Sequence, residues 1–295
     1  MAQSEFDIQF KKKLLETFKF TIDFLEAHNL KWVAAYGTCL GAVRHKGIIP
    51  WDDDIDIHMP REDYEKLVSL KDELNGTGYA LGSLDDYRYP NGYNVIYNEN
   101  TSFVQTLKRP YNMGIWVDIF PVDYTDASQD EIKTNFEEYR RLAIRYKFSL
   151  NKIYLSDLSK LLFNCKFRAL ISELVEWIKN GGNTELKKKD FREYIRKISS
   201  TEGQQGVRYN YAYYGDKYLI DKKWLEDTIV VDFNDFKVRI PRDYDGYLTA
   251  RYGDYMTPPN PIPEASHSMY YVNLKERLSL EEIKERVKKG ERFVY

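Results

Sequence analysis

The sequence predicts an α+β fold, a mixed sheet with flanking helices, and three observations predict it. Apolar residues recur every three to four positions over 5–28, the pattern of an amphipathic helix. Short strand-like runs lie at 32–36, 51–59 and 114–120, each bounded by Gly or Pro. Residues 129–180 then return to a helical pattern. At 295 residues the chain suits one large domain, with room for a helical addition and a core that needs no disulfide.

In order along the chain, Phe6, Phe10, Leu14, Phe18, Ile22 and Leu25 form the apolar stripe of the first helix. Trp32–Tyr36 reads as a buried strand, Gly37-Thr38 as the turn after it, and Cys39–Arg44 as a short helix. His45-Lys46-Gly47 reads as a loop, and Trp51–Met59 as a second strand. Pro60, tolerated in a first turn, opens a helix through about Leu74. Residues 92–98 and 101–107 alternate as a hairpin would. Gly114–Phe120 reads as a buried strand stopped by Pro121. Within 129–180, Lys160–Lys179 mixes apolar residues with Lys160, Lys166, Arg168 and Lys179. That segment fits a packing helix or a peripheral contact with a membrane surface. Further on, 236–241 reads as a strand and 274–290 as a charged surface helix.

Composition narrows the function. Lys and Arg total 44 against 46 Asp and Glu, a net charge of −2, so no global basic field argues for a nucleic-acid partner. Cys39 and Cys165 make no metal or redox motif, which fits a reducing cytoplasm. The N-terminus lacks the unbroken apolar core of a signal peptide, and no run of 18 apolar residues exists to span a membrane. The 25 tyrosines supply flat apolar area with a hydroxyl, suited to pockets that meet bases, sugars or cations.

The informative stretch is Trp51-Asp52-Asp53-Asp54-Ile55-Asp56-Ile57. On a strand, Asp52, Asp54 and Asp56 share one face while Ile55 and Ile57 point into a core. Carboxylates crowded on one face repel one another, and Asp is a poor strand former, so something positive is expected among them. Mg²⁺ or Mn²⁺ is the natural counter-charge, since such ions bridge carboxylates to substrate phosphates. An EF-hand loop would need Gly at the sixth position from Asp52, where Ile57 stands.

Tyr36-Gly37-Thr38, the run from Gly41 to Gly47, and Pro50-Trp51-Asp52-Asp53-Asp54-Ile55-Asp56-Ile57 closely resemble the LicD family, which is related to fukutin and its relatives. Val117–Asp123 resembles the family's third-carboxylate segment. Tyr252-Gly253-Asp254-Tyr255-Met256 with Pro258-Pro259, and then Ser266-His267, resembles its C-terminal signature. The likeness runs from about residue 30 to 270 and fades over about 125–235, a stretch expected to set the acceptor.

The resemblance implies a nucleotidyltransferase-like mixed sheet forming a single domain over 1–295, with a helical insertion at 129–180. It implies an enzyme moving phosphocholine from CDP-choline to a hydroxyl of a glycan precursor of teichoic acid, lipopolysaccharide or capsule, with release of CMP. Family members also use CDP-linked glycerol or ribitol phosphates, and a metal-dependent glycosyltransferase stays open as an alternative. Work in the cytoplasm, at the inner membrane face where the acceptor is lipid-linked, goes with that reading. In this setting Asp54 and Asp56 are expected to hold the metal, with Asp52 beside them and Asp118 as a further ligand or general base. Gly37, Thr38, Arg44, His45 and Lys46 are expected at the donor phosphates. His267 and Trp51 are expected to contact substrate, although Trp51 could instead turn into the core beside Asp52.

Overall fold

The computed structural model describes residues 4–106, 109, 111–151, 183–209, 219–262 and 267–295. In chain order its elements are α1 (Glu5–Ala27), β1 (Val33–Ala34), α2 (Tyr36–Arg44), β2 (Asp56–Pro60), α3 (Arg61–Ser69), β3 (Tyr79–Gly82), β4 (Asn94–Asn98), β5 (Ser102–Val104), β6 (Ile115–Thr125), α4 (Gln129–Ser149), α5 (Thr184–Ile198), β7 (Gln205–Val207), β8 (Leu219–Ile220), α6 (Lys223–Glu226), β9 (Thr228–Phe233), β10 (Phe236–Pro241), α7 (Tyr244–Tyr252), β11 (Tyr271–Asn273), α8 (Leu280–Lys288) and β12 (Phe293–Val294).

Helix α1 starts at a capping box in which Ser4 and Asp7 satisfy each other's backbone amides. Its stripe of Phe10, Leu14, Phe18, Ile22 and Leu25 is buried against the sheet as the periodicity requires. The sheet runs β1-β2-β6-β4-β3, with β7 and β8 continuing from the far half of β6. Strands β2 and β6 are parallel and the other pairs antiparallel, so the sheet is mixed. Ile57 and Met59 of β2, Ile115, Val117 and Ile119 of β6, and Ile55 just before β2 enter the main core. Two smaller sheets, β9–β10 and β5-β11-β12, complete the described strands.

Several sequence expectations shift. The strand expected over 51–59 begins only at Asp56; residues 51–55 run unpaired after a turn in which Asp52 N donates to Ile49 O at 3.0 Å. Three successive Asp side chains suit an unpaired approach better than a ladder. The turn at Gly37-Thr38 is already helical, because α2 starts at Tyr36. The helix from Pro60 breaks at Leu70 into a short 3-10 turn, Lys71–Leu74.

The expected hairpin does not form. Both edges of β4 are taken by β3 and β6, and β5 turns away to pair with β11. Pro121 does not end its strand either. On one side of β6, β4 pairs only as far as Ile119 and β7 takes over at Asp123, so Pro121 falls in a gap that asks for no ladder donor. Of the helical segment expected at 129–180, α4 covers 129–149. The rest, with Cys165 and the Lys160–Lys179 membrane contact, lies outside the described residues, as do Leu107 and Ser266. Among the described residues no helix is long and apolar enough to cross a membrane.

Candidate active site

The site grows from the first residue of β2. Asp56 stands in register with Asp118 on the parallel neighbour β6, so the two carboxylates share one face of adjacent strands. The Asp56 amide donates to Thr38 Oγ1 at 2.9 Å, and the Asp118 amide donates to Ile55 O at 2.9 Å. Trp116 Nε1 donates to Asp118 Oδ1 at 2.9 Å and fixes that carboxylate. Burial pushes both carboxyls above the usual range, and for Asp56 the neighbouring Asp118 charge adds to it.

The unpaired approach brings more acid. Burial, then the charge of Asp54, pushes Asp52 up to about 8. Burial, then the charge of Asp56, pushes Asp54 up to about 7. Asp52, Asp54 and Asp56 line one cleft of about 580 Å³. Tyr252, Asp254 and Tyr255, from the C-terminal part of the chain, line the same cleft.

Asp53 is the site residue that strand alternation missed. With residues 52–55 unpaired, alternation does not bind there, and the buried Asp53 side chain meets the His267 backbone instead. His267 N donates to Asp53 Oδ2 at 3.1 Å, and Nδ1 lies 3.4 Å from Asp53 Oδ1 and 3.8 Å from Asp54 Oδ2. Burial alone would hold the imidazole down; the bond to Asp53 and the charges of Asp54 and Asp118 outweigh it and raise His267 to about 9. Ligand atoms of Asp53, Asp54 and His267 lie within 4.8 Å of one another, a spacing that fits one metal ion. Several buried carboxyls held above their ordinary range, beside an imidazole that the same acids raise, mark a cluster short of positive charge. Hard oxygen ligands in that state suit a divalent cation.

The residues expected at the phosphates separate. Arg44 lines the cleft, with Nη1 donating to Tyr255 O at 2.6 Å and its guanidinium carbon 5.7 Å from the Trp51 ring centroid. Trp51 also lines the cleft rather than turning wholly into the core. Thr38 has structural work: its amide donates to Ala35 O at 2.9 Å and its hydroxyl holds Asp56. Gly37 lines the cleft because Asp52 crowds it; a Cβ there would sit 2.4 Å from Asp52 Oδ2.

His45 and Lys46 are not among the residues that line the cleft. His45 packs edge-on to Trp51 at 5.6 Å, and burial lowers its imidazole. Lys46 takes a left-handed φ of 57°, and its carbonyl accepts from Asn234 N at 2.7 Å, which ties this loop to the β9–β10 turn.

Sequence comparison finds similar proteins over the segments that carry the site. The family model described as LicD/FKTN/FKRP, nucleotidyltransferase domain, matches residues 29–167, which contain every aspartate of the site named above except Asp254. The lipopolysaccharide cholinephosphotransferase LicD of Haemophilus influenzae is 26% identical over 260 residues, covering 84% of this chain and 89% of that protein. The ribitol 5-phosphate transferase FKRP of mouse and of human is 35% identical over 77 residues, 26% of this chain and 14% of that protein.

Proposed function

We propose that this chain, whose residues 29–167 match the LicD/FKTN/FKRP family model, is a phosphotransferase of the LicD family that moves phosphocholine from CDP-choline to a hydroxyl of a cell-surface glycan precursor, releasing CMP. The observation that carries the reading is the cleft in which Asp52, Asp54 and Asp56 converge beside Asp118 and His267. We infer a nucleotidyltransferase-like fold acting as one domain over 1–295, with 129–180 as its insertion. The proposed setting is the cytoplasm, at the inner membrane face when the acceptor is lipid-linked.

In this mechanism a divalent metal, Mg²⁺ or Mn²⁺, would be held by Asp54 and Asp56 with Asp52 and Asp118, and Asp53 and His267 would offer further donors beside Asp54. The ion would supply charge neutralisation on the diphosphate and on the departing CMP. The acceptor oxygen attacks the choline-bearing phosphorus. The phosphorus–oxygen bond to CMP breaks, and CMP leaves with the bridging oxygen and its electron pair. Asp118, fixed by Trp116, takes the acceptor proton. Arg44 on the cleft wall meets a donor phosphate, and Gly37 keeps the approach to Asp52 open. The rings of Trp51, Tyr252 and Tyr255 on the same cleft suit a trimethylammonium group.

A CDP-ribitol or CDP-glycerol donor is the second reading, favoured by the segment shared with the ribitol 5-phosphate transferases. The test incubates the protein with CDP-choline, CDP-ribitol, CDP-glycerol and CDP-ethanolamine, with Mg²⁺ or chelator and a glycan extract, and follows CMP. Metal-dependent release from CDP-choline, lost in Asp54→Asn, is expected. Release from CDP-ribitol or CDP-glycerol instead would transfer the assignment to the polyol donor. No CMP from any donor with folded protein would end the CDP-dependent reading.

A further inference from the structure

Beneath the Asp56–Asp118 pair lies a cation that the proposed mechanism leaves unused. Arg208 follows β7 and is 2% exposed. Its guanidinium carbon sits 3.5 Å from the Phe120 ring centroid and 4.7 Å from that of Tyr36, and Nη1 donates to the Tyr36 hydroxyl. Phe120 comes two residues after Asp118 and pairs in register with His58, two residues after Asp56. All four therefore share the face that carries the carboxylates.

Tyr36 is built to hold this position. It takes a φ of +44°, a conformation that a bulky L residue adopts only when its surroundings enforce it. Its amide donates to the Tyr247 hydroxyl at 2.9 Å, its ring meets the edge of His58 at 4.8 Å, and Arg251 approaches the same ring to 4.9 Å. Tyr36 also lines the cleft. One cleft-lining ring thus carries contacts with two guanidinium groups.

We infer that Arg208, seated on Tyr36 and Phe120, is a positioning residue that sets the charge of the site, so that a divalent ion binds tightly only together with an anionic donor. A guanidinium stays charged at every working pH, and in a dry site its field is strong. It attracts the carboxylates, repels a bare divalent cation and attracts a diphosphate. Metal and donor then bind with positive coupling, because each supplies charge that the other lacks. The inference rests on the proposed metal-dependent reading of this cleft.

The test measures Mn²⁺ affinity by electron paramagnetic resonance, without nucleotide, and then CDP affinity at saturating Mn²⁺. Arg208→Met should bind Mn²⁺ about tenfold more tightly and CDP about tenfold more weakly, from the loss of one buried charge near both. Arg208→Lys should stay within about twofold of the parent for Mn²⁺. Tyr36→Phe, which removes only the hydroxyl that holds Arg208, should change both affinities in the same opposite directions by about two- to threefold. Structural damage would weaken both ligands together, so opposite signs identify the charge-setting role. Arg208→Met that folds and leaves Mn²⁺ affinity unchanged or weakened overturns the inference; should that variant not fold, an unchanged Mn²⁺ affinity in Tyr36→Phe does so. A parent protein that shows no Asp54-dependent Mn²⁺ binding even with CDP present would overturn the proposed function as well, which separates the two failures.

Discussion

Asp52 and Asp54 show how much a single carboxyl depends on what stands beside it. In an unfolded chain each ionises near pH 4, whereas in the folded protein burial and crowding defer this to about 8 and about 7. Between those limits the unfolded chain has released protons that the native protein still binds. The stability of the metal-free protein therefore falls as pH rises from about 4 to about 8. His267 acts in the same direction at the upper end. Its raised value of about 9 gives stabilisation that is complete below about 6.5 and is lost as pH rises through 9. A divalent cation would replace the missing protons. With CDP present throughout, the Tm difference between protein with Mg²⁺ and protein with chelator is expected to widen from pH 6 to pH 8 in scanning calorimetry. A difference that is absent or flat with pH would detach the cation from these carboxylates. The residue types themselves were legible in the sequence. The pairing of Asp53 with His267 was not, because it depends on residues 52–55 staying outside the ladder.

Strand β6 ties the site to the rest of the sheet. Asp118 near its start stands in register with Asp56 of the cleft, and Asp123 near its end belongs to an ion pair. Arg61, the first residue of α3, holds Asp123 with two bonds of 2.8 and 2.9 Å, and Ser200 N donates to the same carboxylate at 2.9 Å. Both charged side chains are buried, at 7% and 3% exposure. Arg61→Ala strands the carboxylate and should cost about 3–5 kcal/mol in urea unfolding, whereas a paired Arg61→Met, Asp123→Leu change should recover most of it. A loss below about 1 kcal/mol in the single variant would show the pair to be hydrated and weak. At this scale the helices were legible where apolar periodicity was long, as in α1. The hairpin expectation failed because alternation reports which face is buried, not which strand becomes the neighbour. The Pro121 expectation failed because a local rule about proline yields to the gap between β4 and β7.

Across the whole molecule, the site joins residues that the chain keeps far apart. Asp53 meets His267, Tyr36 meets Tyr247, Arg44 meets Tyr255, and Ile48 N donates to Asn234 Oδ1. The sequence announced the segments 36–57, 117–123 and 252–267 separately; which of them close one cleft depends on long-range packing that periodicity does not encode. Residues 29–167 hold Asp52–Asp56 and Asp118 but lack Arg208, Tyr252 and His267, so that segment should not suffice. A chain ended at residue 262 loses His267 and also β11 and β12. That strips β5 of its partner and removes the Phe293 ring, 4.9 Å from Phe6 of α1. It should therefore unfold at lower temperature and release no metal-dependent CMP. His267→Ala in the full chain separates the two effects, because it leaves both strands in place and removes only the imidazole beside Asp53 and Asp54. That variant should keep its Tm within a few degrees while turnover falls at least about tenfold, the scale of losing one group that orients a reacting site. If the shortened chain kept turnover within about twofold, the segment beyond residue 262 would serve packing alone, and the catalytic unit would end at or before residue 262.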